Sequence, residues 1–191
     1  MADYTVIAEV GQTLVQLLRQ EMTPEPIGQP EHIGLAPPAD KGDLSLSLFL
    51  YTVRDNPEHR RTTMISKGST QQYPPMAVNL HYLVTAHSAS DIHSRSVDEH
   101  RMLGKVMQVF HDHAVLRGSQ LIGSLAERNE ELRITREELA MENAFGFFQE
   151  EPYKLSLSYM VGPVFIDSIR TKPVKRVLEA EFRLQEAEGA E

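Results

Sequence analysis

Histidine is the residue type that most invites a chemical reading. The chain carries eight, and six lie between His81 and His113. His111-Asp112-His113, at the predicted end of a helix, is the densest group, and a metal-dependent hydrolase built on it is one function to weigh. The spacing argues against a shared ion. Residues two apart on a helix point about 200° away from each other. The H-E-x-x-H pair, whose histidines share a face four residues apart, is absent. A charged histidine in a last turn interacts favourably with the helix dipole, which is reason enough for one there. His81, beside Tyr82 in a predicted strand, reads as a packed or sheet-face histidine.

Other chemistry finds less support. No G-x-S-x-G elbow, G-x-x-x-x-G-K-[ST] loop or G-x-G-x-x-G turn occurs. Carboxylates are dense from Glu127 to Glu142, spread as on a solvated helix face. A glycosidase pair is defined in space, and nothing in the sequence singles one out. Phe145, Phe147 and Phe148 read as core or as a helix-end plug. The chain has no cysteine, which removes disulfides, thiolate metal sites and cysteine nucleophiles together. No catalytic, cofactor-binding or metal-ligating residue is assigned, and no cofactor is expected.

The bulk numbers bound the rest. A chain of 191 residues fits one domain, or one domain plus a tail. At 41% hydrophobic residues it can bury a core. A formal net charge of -8 lacks the basic footprint of a nucleic-acid partner. The start, MADYTVIAEVGQ, has neither the basic region nor the apolar run of a secretory signal. No apolar run approaches the ~18 residues a membrane helix needs, so no membrane partner is expected.

The elements that would position these residues follow from periodicity. Tyr4 to Met22 repeats apolar residues at three- and four-residue steps, which predicts a helix stopped by Pro24 and Pro26. His32 to Ala36, bounded by Pro37 and Pro38, is an edge strand or a loop. Asp43 to Asp55 alternates strongly, with its second face turning apolar toward the end, as in a strand half-covered and then fully covered. Met76 to His87 is a second strand with Val78, Leu80, Tyr82 and Val84 on one face.

Ser96 to Glu99 fits a capping box, opening a helix to about His113 with Met102, Leu103, Val106, Val109 and Phe110 on one side. Gly118 and Gly123 mark loops, and Leu132 to Thr135 is a short strand. Thr135 to Glu138 is a second capping-box candidate, opening a helix to about Phe148. Tyr153 to Val161 alternates, bends at Gly162-Pro163 and continues to Ile169. The expected fold class is α+β, with a mixed or antiparallel sheet flanked by helices in two layers.

Between Asn56 and Pro75 lies a polar stretch, read as a long loop or a protruding hairpin. It is either a disordered excursion or a contact arm. Arg60, Arg61 and Lys67 give it a local positive patch on an acidic protein, suited to an acidic surface of a neighbouring subunit. After Pro173 the chain runs to an acidic end that should fray or wait for a partner.

Six stretches, in order, carry a resemblance. They are YTVIAEVGQTLVQLLR from Tyr4, IGLAPPAD from Ile33, LSLFLYTVRDNPEHR from Leu46, PPMAVNLHYLVTAHS from Pro74, EHRMLGKVMQVFHDHAVL from Glu99 and PYKLSLSYMVGPVFIDS from Pro152. Together they resemble the cap, or tail-terminator, proteins of extracellular contractile injection systems, the phage-tail-like particles of the antifeeding prophage and Photorhabdus virulence cassette type. The match covers about residues 4–170, the expected cap domain, and leaves 171–191 as a C-terminal segment.

The resemblance implies a tail-terminator-like fold and no catalytic residues. It implies a homo-oligomer, a hexameric ring, at the baseplate-distal end of the inner tube and sheath. There the ring stops polymerisation, fixes length and anchors the last sheath ring. The place implied is the cytoplasm during assembly and the released particle afterwards. A baseplate or adaptor subunit of the same particle is the alternative. Many members of the family continue well beyond this domain. A sheath subunit could add a strand at an exposed edge. The candidate places are the Pro-flanked edge at Ile33 and the segment after Pro173, beginning at Val174.

Overall fold

A computed structural model describes residues 4–68, 70–148 and 151–173. Val174 and the acidic C-terminal end lie outside the described residues. Helix α1, Val6–Met22, buries Val10, Leu14, Leu17 and Leu18 along one stripe, the face its spacing predicts. Thr23 is extended, and Pro24 follows, so the helix stops where the sequence says. Strand β1, Ile33–Leu35, is short and pairs in parallel with β2, Leu46–Asp55. Strands β3, Ile65–Lys67, and β4, Thr70–Gln72, form a hairpin inside the polar stretch. That stretch is thus a protruding hairpin rather than a bare loop.

Next come β5, Met76–Ala86, and α2, Ile92–Asp112. Strand β6, Val115–Arg117, the one-turn α3, Ser124–Glu127, and β7, Glu131–Glu137, follow. Short α4, Met141–Phe145, precedes β8, Ser156–Ile166, and β9, Thr171–Pro173. The main sheet runs β1-β2-β5-β8-β7-β6, antiparallel except for the edge pair β1-β2. The expected α+β class with a mixed sheet is what forms. Strand β9 joins β4 to make a separate three-stranded sheet, β3-β4-β9.

One face of the main sheet carries the core. Leu46, Leu48, Leu80, Tyr82, Val84 and Val161 pack there in the cluster that also holds the buried faces of α1 and α2. Each fully buried aliphatic side chain contributes roughly 1.5–3 kcal/mol relative to exposure. All five apolar residues expected on α2 are buried. At Gly162-Pro163 two residues of β8 oppose Asn79 alone, the bulge the sequence indicates. A Cβ on Gly162 would collide with the Asn79 side-chain oxygen, so a larger residue there would have to displace the Asn79 amide.

Four expectations are corrected. Cover on β2 decreases along the strand, from buried Leu46 to Val53, Arg54 and Asp55, which are exposed in succession, so both faces of the strand end run past the packed elements. Helix α2 begins one turn before Ser96. Asp98 and Glu99 do not cap it but reach back, accepting from the Ser90 hydroxyl at 2.6 Å and the Ser88 N–H at 3.2 Å. The helix expected from Thr135 to about Phe148 forms only at Met141–Phe145, and its start is instead the end of β7, where Thr135, Arg136 and Glu137 pair with Met160, Tyr159 and Ser158. Long-range pairing overrides a local capping pattern there. The strand expected from Tyr153 to Ile169 spans only Ser156–Ile166.

Candidate assembly interface

The second face of the sheet carries polar pairs among apolar residues such as Leu83 and Phe49. Ser47, at the start of β2, shares a hydrogen bond with His87 Nε2 at 2.9 Å. Thr85 meets Ser156 at 2.8 Å, and Tyr51 meets Ser158 at 2.9 Å. His81 Nδ1 meets Glu137 Oε2 at 2.6 Å. Alternation sends these residues away from the main core, and each pair ties adjoining segments together. Near α4 this face is capped by Phe148, which is buried, and by Phe147, whose ring lies 5.8 Å from Phe49 and 5.2 Å from Tyr51. Phe147 and Phe148 are thus packing residues, while Phe145 is exposed beside Tyr153.

The histidines follow their surroundings. His81 and His87 are both buried, and each keeps one ring nitrogen without a hydrogen-bond partner among the described residues. Burial pushes His87 down to about 3, helped by the charges of Lys154 and Lys41, so it is a neutral imidazole. A neutral, enclosed imidazole of that kind is a poor general base. His113 faces Gln120 at 3.2 Å and Glu21 at 3.8 Å, while His111 is exposed. Among the described residues no group of three or more His, Asp or Glu is placed to hold a metal ion. No helix of the described residues is long and apolar enough to cross a membrane.

Glu9 on α1 is another structured carboxylate. Burial alone would raise its pKa. The Ser124 and Thr5 hydroxyls and the N–H groups of Ser124 and Leu125 outweigh that and hold it below the ordinary value. This contact docks α3 onto α1.

The contact residues expected from sequence separate. Arg60 is exposed on the arm. Arg61 stacks over the Phe165 ring at 4.7 Å, fixing the arm to the end of β8. Lys67 closes β3 opposite Thr70. Ile33 is different: its side chain is fully buried, and its carbonyl accepts from Arg19 Nε at 3.0 Å and Nη2 at 2.7 Å. A partner at this edge would therefore meet exposed Leu35 rather than Ile33. Sequence reading missed Arg170, stacked over Tyr73 at 4.5 Å, and Lys172 in β9. No periodicity marks a three-residue strand, so the sequence held no signal for either.

A family model, the Pvc16 N-terminal domain, matches residues 9–180. The chain belongs to this family. Two solved structures share the fold. One is the sheath/tube terminator of an extracellular contractile injection system, PVC, in the extended state. It superposes at TM-score 0.62 with 16% identity over 98% of this chain. The other is the tube-terminating cap of the anti-feeding prophage, at TM-score 0.61 and 16% identity over 92% of this chain. The chain spans 66% and 60% of those two chains. None of the curated proteins compared matches it. The family read from six ordered stretches of sequence, and its terminator-like fold, are the ones found.

Proposed function

We propose that this member of the Pvc16 N-terminal domain family is a structural cap. It ends the inner tube and sheath of a contractile injection system at the baseplate-distal end and anchors the last sheath ring. The supporting observation is a terminator fold over nearly the whole chain, within a family match covering residues 9–180. In this reading the chain does no chemistry. Its partners are further copies of itself in a hexameric ring, the last tube ring and the last sheath ring. It works in the cytoplasm during assembly and leaves with the particle.

The physical requirement on such a subunit is asymmetry. One face must complement the last ring of the polymer, and the opposite face must refuse the next subunit. Heterologous contacts that close by rotation give a ring with two unlike faces. The test is the position of the protein in intact particles, labelled and viewed by electron microscopy. Label only at the end remote from the baseplate supports the cap. Label at the baseplate supports the adaptor reading instead.

A further inference from the structure

We propose that neighbouring subunits meet head to tail, the arm and small sheet of one copy docking on the α4 segment of the next. This inference rests on the ring reading above and names its contact.

The arm end is basic. Residues 56–76 and 167–173 hold five Lys or Arg against two Asp or Glu. Of those two, Asp167 is already bound by Arg128. Arg60 and Lys172 are exposed and form no ion pair among the described residues. Arg61 and Arg170 are stacked on rings, not on carboxylates. The α4 segment, described over residues 138–148 and 151–155, is acidic. Glu138, Glu142 and Glu151 are exposed and form no ion pair among the described residues. The lysine of that segment, Lys154, is held by Glu99 at 2.9 Å.

Each patch also has an apolar centre. Ile65, Met76 and Ile169, the last 95% exposed, lie at the arm end. Met141, Phe145 and Leu155 lie at the α4 end. Among the described residues, half of the twelve large apolar side chains that are exposed fall in these two places. Apolar centres with charged rims are the anatomy of a protein interface.

Topology keeps the patches apart within one copy. The α4 segment leads into β8 at Ser156, and β9 of the small sheet follows its far end at Ile166. Eleven extended residues put about 30 Å between those ends. Either patch against itself would oppose like charges, which disfavours a two-fold contact. A basic patch at one end and an acidic one at the other make a heterologous contact, the kind that closes into a ring.

The chain has no cysteine, so introduced thiols report cleanly. Particles assembled with a chain carrying both Arg60→Cys and Glu142→Cys, treated with a short bis-maleimide, should give a ladder of covalent multimers above the dimer. Either single variant should give none. Dimers from a single variant would overturn the proposal. So would a missing ladder in particles of normal tube length, and that outcome would leave the cap reading standing. As a second measure, Arg60→Glu with Lys172→Glu should weaken ring assembly at least tenfold, and Glu138→Lys with Glu142→Lys in the same chain should restore it. Failure of the second pair to rescue would also count against the contact.

Discussion

The two faces of the main sheet are made by different chemistry. Toward α1 and α2 the strands present Leu46, Leu48, Leu80, Tyr82 and Val84, and the contact is mainly apolar. On the other side Ser47, Thr85, Ser158 and His81 are as deeply buried, but each is paired through a hydrogen bond. The first face stabilises by area removed from water and tolerates no loss of volume. The second gains little from each pair and is penalised when one partner is lost. One face therefore sets how stable the domain is. The other sets where the α4 segment sits, and so where its exposed acids point.

That contrast can be broken by substitution, and the largest effect belongs to the apolar face. Leu80→Ala should cost about 2–5 kcal/mol in urea unfolding, since Leu80 is fully buried against both helices' cluster. A cost near zero would mean that the face is not close-packed.

Next comes pH. The His87 pKa is about 3 when folded and near 6.5 when unfolded. Between those values the unfolded chain takes up a proton that the folded chain refuses, so stability is intact above 6.5 and falls as pH drops toward 3. His87→Gln should flatten that fall, read from unfolding midpoints across the range.

Breaking the bulge or the His81 pair should cost less. Gly162→Ala is expected to lose about 1–3 kcal/mol through collision with Asn79. The loss should shrink in an Asn79→Ala background, and an unchanged cost would show the two residues uncoupled. Glu137→Ala leaves His81 Nδ1 buried without its partner and should cost about 1–3 kcal/mol. Hydrogen exchange should then rise in residues 138–148 before it rises in α1. The smallest effect is that of Ser158→Ala, which removes one hydroxyl from Tyr51 at a cost of about 1 kcal/mol.

Much of the apolar face was legible in the sequence. The stripe on α1, the five buried residues of α2 and the alternation in β5 and β8 are local periodicities, and burial enforces them. The glycine-proline bulge is legible for the same reason, since the pattern breaks at a residue pair that breaks strands. The polar face was not legible. Thr135 to Glu138 looks like a helix start until β8 claims it as a strand.

For the same reason Glu137 could not be assigned to His81, 56 residues away. Nor does any local pattern say that Arg19 caps Ile33, or that Arg61 and Arg170 stack on Phe165 and Tyr73. The basic arm could be read as charge, but its small sheet depends on β9, a hundred residues on.

The claim that matters most is that this chain ends a tube. It is tested most directly by the distribution of tube lengths in particles assembled with and without it, measured on electron micrographs. The account predicts one narrow length with the chain, and long, variable tubes with loose sheath without it. A single, unchanged length and intact sheath in particles lacking the chain would contradict it.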